Sequence, residues 1–584
     1  EDENTARVLG RIAVTFGETF ADDLASQFHQ ASIIHYLQLI MRLTGYPGYF
    51  GADQEVGEIT LNFWYVLQET IADLGILPLD KRLQHAEYAD NSHENIFAAY
   101  KQLVFVLRDK AMVPPDHEYN NWSKDVRDKF RIYRRDIADT LNSPYFVIGA
   151  EMPLLLLNEI ILELSKQDSS DYNEQRLEAT FFCLRSISDE IPADSSGQVD
   201  LLFESNIFSR IPANSGPRLQ NSVLGTLGSF SEWLKRHPQY LLTALNYIVP
   251  ALSNAKLAPT AATALKNICD TCRSALIEGV DSLIALYKDV VKIGVEATVK
   301  QKVVESIAAV IQVFPPEKMI PPLMVLTADI VHAIQQSLAN SSPDPVAAAN
   351  NIRAQLQYLT ACCRGLQSPD DDYQSLIDRN AAYDMFASGS INTLYESVPG
   401  ASEFSQTVND TITQIVYMYC NDPETMGILC QYLDAGLRST SPLACLQLST
   451  LLAIIQHSYE SMPLTPWLDT AALVITVYGG YDAHKESLRQ LLAVLTTKTL
   501  SGIHTVQAME EFPDITHSYF GLLSRVMRRC PLILFQMPSE ILKSIFSVAV
   551  AGMTLQERLA LRAVMSFIVS SFWFFFFCGL LRFR

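Results

Sequence analysis

The stretch that decides the fold lies between residues 121 and 141 and reads NWSKDVRDKFRIYRRDIADTL. Its apolar residues Phe130, Tyr133, Ile137 and Leu141 are spaced by three or four positions. Because an α-helix completes a turn about every 3.6 residues, this spacing places all four on one helical face. The stretch therefore predicts an amphipathic helix that buries one stripe and leaves charged residues on its other faces.

Two acidic residues of this helix, Asp136 and Asp139, fall outside the apolar stripe. Charged residues on the exposed face of a helix most often interact only with water. A pair of carboxylates on such a face can also attract a basic partner. We therefore take Asp136 and Asp139 as candidate residues for binding a protein partner, and a solvated face is the alternative interpretation.

The same helical spacing recurs along most of the chain, and no run alternates in the manner of a β-strand. Helices that look like first members of antiparallel pairs begin near Gln175, Gly216, Ala258 and Val299. Their spacing of about 40 residues is the period of HEAT and armadillo repeats. The sequence predicts an all-α fold, an α-solenoid superhelix of about twelve such pairs in one continuous array over residues 1–570.

Proline and glycine residues mark the predicted turns between helices. The pair Pro321-Pro322, for example, is predicted to lie in a turn. A helix pair cannot bury its apolar face alone, so neighbouring pairs stack and present a long concave surface. An array of this kind favours a binding function, but the fold alone does not identify the partner.

The chain of 584 residues is acidic, with a formal net charge of -20. Such a surface repels phosphate backbones, so direct binding of nucleic acid is not expected, and it attracts basic proteins. One segment, Asp370-Asp371-Asp372, is strongly acidic. It is a candidate site for a basic partner or for the basic patch of a GTPase, and a solvated connector is the alternative interpretation.

No arrangement of residues in the sequence predicts catalysis. The chain has no phosphate-cradling glycine-rich motif, no His-Glu-x-x-His pair and no Gly-x-Ser-x-Gly elbow. Cys269 and Cys272 have the spacing of half a zinc site, but no second pair of cysteines lies at a suitable distance. We expect buried, reduced thiols, no bound metal, no cofactor and no enzymatic activity.

The C-terminal residues are unusually aromatic. Residues 563–581 are uncharged and about as long as a membrane span, and residues 572–577 read FWFFFF. We expect that residues 571–584 lie outside the repeat array and that the chain is not bound to a membrane; a tail anchor is the alternative. Because the chain starts at Glu1 without Met or a signal peptide, we expect a fragment of a longer protein.

Several motifs resemble the importin-13/transportin-SR branch of the importin-β superfamily. LNFWYVLQE at 61–69, the 121–141 stretch, GSFSEWL at 228–234 and LKNICDTC at 265–272 occur in the same order as in that family. The resemblance implies a nuclear transport receptor that binds folded protein cargo on its concave face under the control of Ran-GTP. The acidic charge of the chain predicts that this cargo is basic. The resemblance also implies contacts with nucleoporins and shuttling between nucleus and cytoplasm.

Members of that family are longer, and the resemblance implies that an N-terminal arch and the last C-terminal repeats lie outside this sequence. Because the arch supplies much of the Ran-GTP site, we expect that site to be incomplete here. Import and export both remain open from the residues. The alternative function is a HEAT-repeat scaffold that assembles a multiprotein complex without Ran.

Overall fold

The computed structural model describes residues 3–76, 92–167, 169–194, 197–205, 207–212, 214–341, 344–368, 396–439 and 446–582. Within these ranges every regular element is helical, and one isolated bridge joins Phe50 to Gln54. The prediction of an all-α fold is therefore confirmed. The chain divides into two compact units, Glu1–Cys272 and Arg273–Arg584. One continuous array over residues 1–570 stays a prediction.

The first unit is built from helices that lie in two layers. Within one layer α4, α7, α10, α13 and α16 follow one another as neighbours, and the helices between them in sequence form the other layer. The helices are α1 (Glu3–Thr19), α2 (Ala21–Ser26), α3 (Ala31–Thr44), α4 (Leu61–Asp73), α5 (Ser92–Ala111), α6 (Asp116–Tyr119), α7 (Lys124–Thr140), α8 (Asn142–Ile148), α9 (Glu151–Ser165), α10 (Glu174–Ser186), α11 (Asp200–Glu204), α12 (Ile207–Arg210), α13 (Pro217–Ser229), α14 (Ser231–Arg236), α15 (Leu241–Ala251) and α16 (Ala258–Thr271).

The second unit repeats this arrangement. Helices α18, α20, α22, α24, α27 and α30 form one layer, and α17, α19, α21, α23, α25 and α29 form the other. The helices are α17 (Val280–Ile293), α18 (Ala297–Ile311), α19 (Pro316–Ala339), α20 (Pro345–Gly365), α21 (Ala401–Tyr419), α22 (Pro423–Arg438), α23 (Leu448–Ser461), α24 (Thr465–Tyr478), α25 (Lys485–Gly502), α26 (Val506–Glu511), α27 (Pro513–Arg529), α28 (Pro531–Phe535), α29 (Ser539–Gly552) and α30 (Arg558–Arg582).

The helix starts predicted from the repeat period are confirmed to within two residues. The four helices begin at Glu174, Pro217, Ala258 and Ala297. The side chain of Asn173 accepts a hydrogen bond from the backbone N–H of α10, which satisfies a donor that the helix itself cannot pair. Local capping and the apolar period therefore agree on where this helix begins.

The predicted turn at Pro321-Pro322 is wrong, because both prolines lie inside α19. A proline within a helix removes one backbone hydrogen bond and crowds the preceding turn. In α19 that cost is offset by packing, because Met319, Ile320 and Leu323 around the prolines are almost completely buried.

The aromatic C-terminal stretch begins within α30, whose backbone continues to Arg582. The ring of Phe574 stacks on Phe535, with centroids 5.1 Å apart. In the part of the chain that the structure describes, no single helix is long and apolar enough to cross a membrane. The segments Lys124–Ile148 and Glu151–Ser165 are together long and apolar enough for a membrane span, but the chain bends by 116° between them.

Candidate functional site

The amphipathic helix predicted from residues 121–141 is α7, and its orientation is the one that the sequence predicts. The side chain of Ser123 caps it by accepting a hydrogen bond of 3.2 Å from the N–H of Val126. Phe130, Tyr133 and Ile137 are buried, each with at most 1% of its surface exposed. Because these residues fix the inward face, the carboxylates of the opposite faces are held toward solvent.

The two sequence-predicted carboxylates lie on the outward part of α7 and are joined by a third from another element. Asp139 is exposed and Asp136 is partly buried. Burial raises the pKa of the Glu58 carboxyl, and the negative charge of Asp136 raises it further. Glu58, which precedes α4, therefore lies close to Asp136. We call Glu58, Asp136 and Asp139 the acidic edge.

The charge of the acidic edge is only partly offset by the neighbouring cation Arg135. Burial raises the pKa of Asp136, Arg135 opposes the shift, and Asp139 adds to it. Nearby Glu55 is paired with two cations, since Arg7 Nη1 lies 3.3 Å and Lys129 Nζ 3.2 Å from its carboxylate oxygens. Among the described residues, no ion pair is formed by the three carboxylates of the acidic edge itself.

A buried hydroxyl adds a further polar group beside the acidic edge. Tyr133 is fully buried and stacks on Phe50 with centroids 4.4 Å apart, yet its hydroxyl has no hydrogen-bond partner within the described ranges. Burial raises the pKa of this hydroxyl strongly, and the charges of Glu58 and Asp136 contribute to the shift. The arrangement favours a bound cationic group, which would relieve the repulsion between the carboxylates.

The other sequence-predicted candidates have different outcomes. Asp370, Asp371 and Asp372 lie outside the described residues. Cys269 and Cys272 are buried, and burial raises the pKa of both thiols, which agrees with the prediction of inert structural cysteines. No group of three metal-ligating side chains occurs among the residues that the structure describes.

Sequence reasoning missed a groove in the second unit between α17 and α19. The groove has a volume of about 500 Å³ and an apolar floor that includes Ile277, Ile284 and Phe314. Glu278 and Lys288 stand at its rim. No sequence signal identified it, because its floor comes from segments that are separated along the chain.

Two family models match stretches of the chain. The model described as "Transportin-3/Importin-13 third TPR domain" matches residues 208–286. The model described as "Importin 13 repeat" matches residues 112–151, which include the whole of α7. Asp136 and Asp139 therefore lie in a recognised repeat, and Glu58 lies outside the matched residues.

Related proteins match nearly the whole chain. Importin-13 of Homo sapiens is 26% identical over 570 residues, which is 97% of this chain and 56% of the relative. Importin beta-like protein kap111 of Schizosaccharomyces pombe is 25% identical, with 97% and 56% covered. Transportin MOS14 of Arabidopsis thaliana is 22% identical, with 98% and 56% covered. The chain thus spans little more than half the length of these relatives.

A solved structure, "Importin13 cytosolic state", matches with a TM-score of 0.78 at 21% identity, covering 98% of this chain and 62% of the other. This likeness confirms the predicted fold, an all-α solenoid of HEAT-like repeats. The chain fits the importin-β family. Within that family it fits the importin-13 branch. The importin-13 relatives form a non-enzymatic family, in agreement with the prediction that the chain is not an enzyme.

Proposed function

We propose that the protein is a nuclear transport receptor that binds folded, basic protein cargo and exchanges it under the control of Ran-GTP. The observation that carries the proposal is the match to importin-13 over 97% of the chain. The acidic edge supports the choice of basic cargo, because unpaired carboxylates on an exposed helix attract cations and speed their encounter. Such a receptor shuttles between nucleus and cytoplasm and serves protein import, with export as a second direction.

Nucleoporins are the proposed partners during passage through the nuclear pore. The groove between α17 and α19 supports this assignment, since it offers an apolar floor to side chains of a nucleoporin. Phe314 and Pro321 line it, and Val325 beside them is 48% exposed. Exposure of apolar surface to water costs free energy. Binding of a partner that covers the groove is therefore favourable.

The decisive experiment compares the two nucleotide states of Ran. The immobilised protein is incubated with Ran loaded with GTP or with GDP, and the retained Ran is quantified. We expect preferential retention of the GTP form, and displacement of bound basic proteins by it. Equal retention of the two forms, together with partner binding that ignores Ran, would favour the competing function of a Ran-independent scaffold.

Neutralising the acidic edge should weaken cargo binding. In the variant Glu58→Gln, Asp136→Asn, Asp139→Asn, we expect about tenfold less basic protein to be captured from nuclear extract and released by Ran-GTP. The loss should be largest at low salt, since screening already weakens exposed charges at high salt. Quantitative mass spectrometry of the released proteins measures the effect.

A matched variant removes the same charge from another exposed part of the first unit. Glu69→Gln, Asp73→Asn, Asp189→Asn changes three exposed carboxylates that form no ion pair among the described residues. We expect its capture of basic proteins to stay within about twofold of the unmodified protein. If both triple variants lose capture equally, net charge and not the acidic edge attracts the cargo.

A further inference from the structure

Helix α30 has one face in the core of the second unit and an opposite face in solvent. On the inner face Val564 and Phe567 are completely buried, and the ring centroid of Phe567 lies 5.8 Å from that of Phe520 on α27. On the outer face a stripe of four residues is exposed. We call it the α30 stripe, and it consists of Arg562, Met565, Val569 and Phe572.

The spacing of the α30 stripe is that of a helix surface that packs against another helix. Its residues follow one another at intervals of three, four and three positions, which places them on one face. Two helices interlock their side chains at intervals of this kind. Of the apolar members, Met565 is 39%, Val569 is 51% and Phe572 is 69% exposed. Exposure of this apolar surface to water costs free energy, so the stripe favours a covering helix.

Three arginines surround the N-terminal end of the α30 stripe. Arg558 lies one turn before Arg562, and both are exposed. Arg528 of α27 lies beside them, because its Nη2 donates a 3.2 Å hydrogen bond to the Oγ of Ser566, one turn after Arg562. Among the described residues none of the three arginines forms an ion pair. In a chain with a net charge of -20, this end of the stripe is a local reversal of charge.

The carboxylate next to these arginines in sequence belongs to Glu557 and is used by the backbone. Its oxygens accept hydrogen bonds from the N–H of Ala560 at 2.5 Å and from the N–H of Leu559 at 3.0 Å. These two bonds hold the pKa of the Glu557 carboxyl below its usual range. Glu557 therefore caps the start of α30, and one negative charge beside three positive ones leaves the surface basic.

We propose that the α30 stripe, with Arg528 and Arg558, docks an amphipathic, acidic helix of a protein partner. The apolar side chains of that helix cover Met565, Val569 and Phe572, and its carboxylates pair with the arginines. The first unit contains a pairing of this type, since Arg134 of α7 lies 2.7 Å from Glu178 of the neighbouring α10. The surface is separate from the acidic edge and from the groove, so the proposal does not rest on the proposed function.

An anionic membrane surface fits the observations less well than a helix. A helix that lies on a membrane has a broad apolar face, and its polar face is rich in lysine and arginine along its length. In α30 the face opposite the stripe is buried against α27, and the exposed cations lie at one end of a narrow apolar stripe. We therefore commit to the helix as the occupant and use vesicles as a comparison.

The first test measures how the complete chain binds a fluorescent peptide of three heptads, with leucine at positions a and d and glutamate at positions e and g. In Val569→Ser, Phe572→Ser we expect about a tenfold rise in Kd. The matched variant Leu242→Ser, Val346→Ser changes two apolar residues that are 68% and 71% exposed elsewhere, and its Kd should change by less than about twofold. An equal rise in both variants, or no binding to the unmodified chain, would overturn the proposal.

The second test addresses the arginines. Arg558→Gln, Arg562→Gln should also raise the Kd about tenfold, and the effect should shrink as salt screens the charges. The matched variant Arg236→Gln, Lys256→Gln removes two exposed cations that form no ion pair among the described residues, and its Kd should stay within about twofold. A peptide with lysine at e and g should bind the unmodified chain at least about tenfold more weakly. Equal affinity for the two peptides would contradict the acidic character of the partner.

Two further measurements distinguish other occupants. Sedimentation velocity shows whether the unmodified chain dimerises, and a dimer that Val569→Ser, Phe572→Ser abolishes would assign the stripe to a second copy and overturn the proposal. Co-sedimentation with vesicles of phosphatidylcholine and phosphatidylserine would overturn it likewise if that variant lost vesicle binding and kept its peptide Kd. Circular dichroism confirms that each variant is folded. No assay contains Ran, so a failure of Ran-GTP dependence would leave these results intact.

Discussion

The variant Glu178→Ala should lose about 3–5 kcal/mol of the free energy of unfolding of the first unit, because it leaves a buried cation unpaired. Arg134 Nη2 of α7 lies 2.7 Å from both carboxylate oxygens of Glu178 on α10. The side chain of Glu178 is only 4% exposed, and that of Arg134 is 16% exposed. Without the carboxylate, the guanidinium of Arg134 keeps its charge in a position where water solvates it poorly.

The same carboxylate joins three helices of one layer. Ser222 Oγ of α13 donates a 2.5 Å hydrogen bond to Glu178, and the guanidinium of Arg134 lies 4.1 Å from the ring centroid of Phe182. Loss of Glu178 therefore affects α7, α10 and α13 together. Urea denaturation gives the change in stability, and hydrogen exchange should show weaker protection of the amides in these three helices.

Two controls distinguish a lost ion pair from lost packing. The double variant Arg134→Met, Glu178→Leu removes both charges and keeps the apolar volume, so we expect it to recover most of the stability. Glu232→Ala breaks the exposed pair with Lys235, whose Nζ lies 3.9 Å away, and should cost less than about 1 kcal/mol. A Glu178→Ala variant as stable as Glu232→Ala would contradict the prediction.

The helical part of the fold was predictable because its signal is local. Phe130, Tyr133 and Ile137 follow the helical period, and no strand or loop could bury all three on one side. The error at Pro321-Pro322 shows the limit of local rules. Whether a helix tolerates proline depends on how much apolar surface its neighbours bury, and a turn rule does not contain that information.

The candidate sites were predictable only where one helix supplies the residues. The outward placement of Asp136 and Asp139 follows from the period of α7. Glu58 joins Asp136 at the acidic edge from a different segment of the chain. Such pairs depend on how successive repeats align, which is set by packing between helices and has no periodic signature in one sequence.

Replacing Gly365 at the end of α20 should produce the second large loss, about 2–3 kcal/mol for Gly365→Ala and more for Gly365→Val. A Cβ atom at this position would lie 2.3 Å from the backbone oxygen of Glu305, 2.7 Å from the Cβ of Ala308 and 2.9 Å from the backbone nitrogen of Ala309. All three atoms belong to α18 and none is the end of a flexible side chain. The two helices must therefore move apart.

Separation of α18 and α20 should also disturb the buried Arg273. Its Nη1 donates a 2.8 Å hydrogen bond to the backbone oxygen of Gln367 and lies 3.5 Å from that of Gly365. Arg273 is only 7% exposed and its guanidinium depends on these acceptors, so their displacement adds to the cost of the substitution. Thermal unfolding followed by circular dichroism should show a lower Tm for Gly365→Ala, and hydrogen exchange should place the change in α18 and α20.

Gly427→Ala is a control for which we expect a change in stability in the opposite direction. Gly427 lies inside α22, and a Cβ atom there would meet no atom within 4 Å. Alanine in an open helical position reduces the entropy of the unfolded chain and improves helix propensity, so Gly427→Ala should stabilise the protein by about 0.5–1 kcal/mol. If Gly365→Ala also stabilised the protein, the explanation that glycine is needed for close approach of the α18 backbone would be wrong. Opposite shifts in Tm for the two alanine variants would show that contact between neighbouring repeats, and not helix propensity, sets the requirement at Gly365.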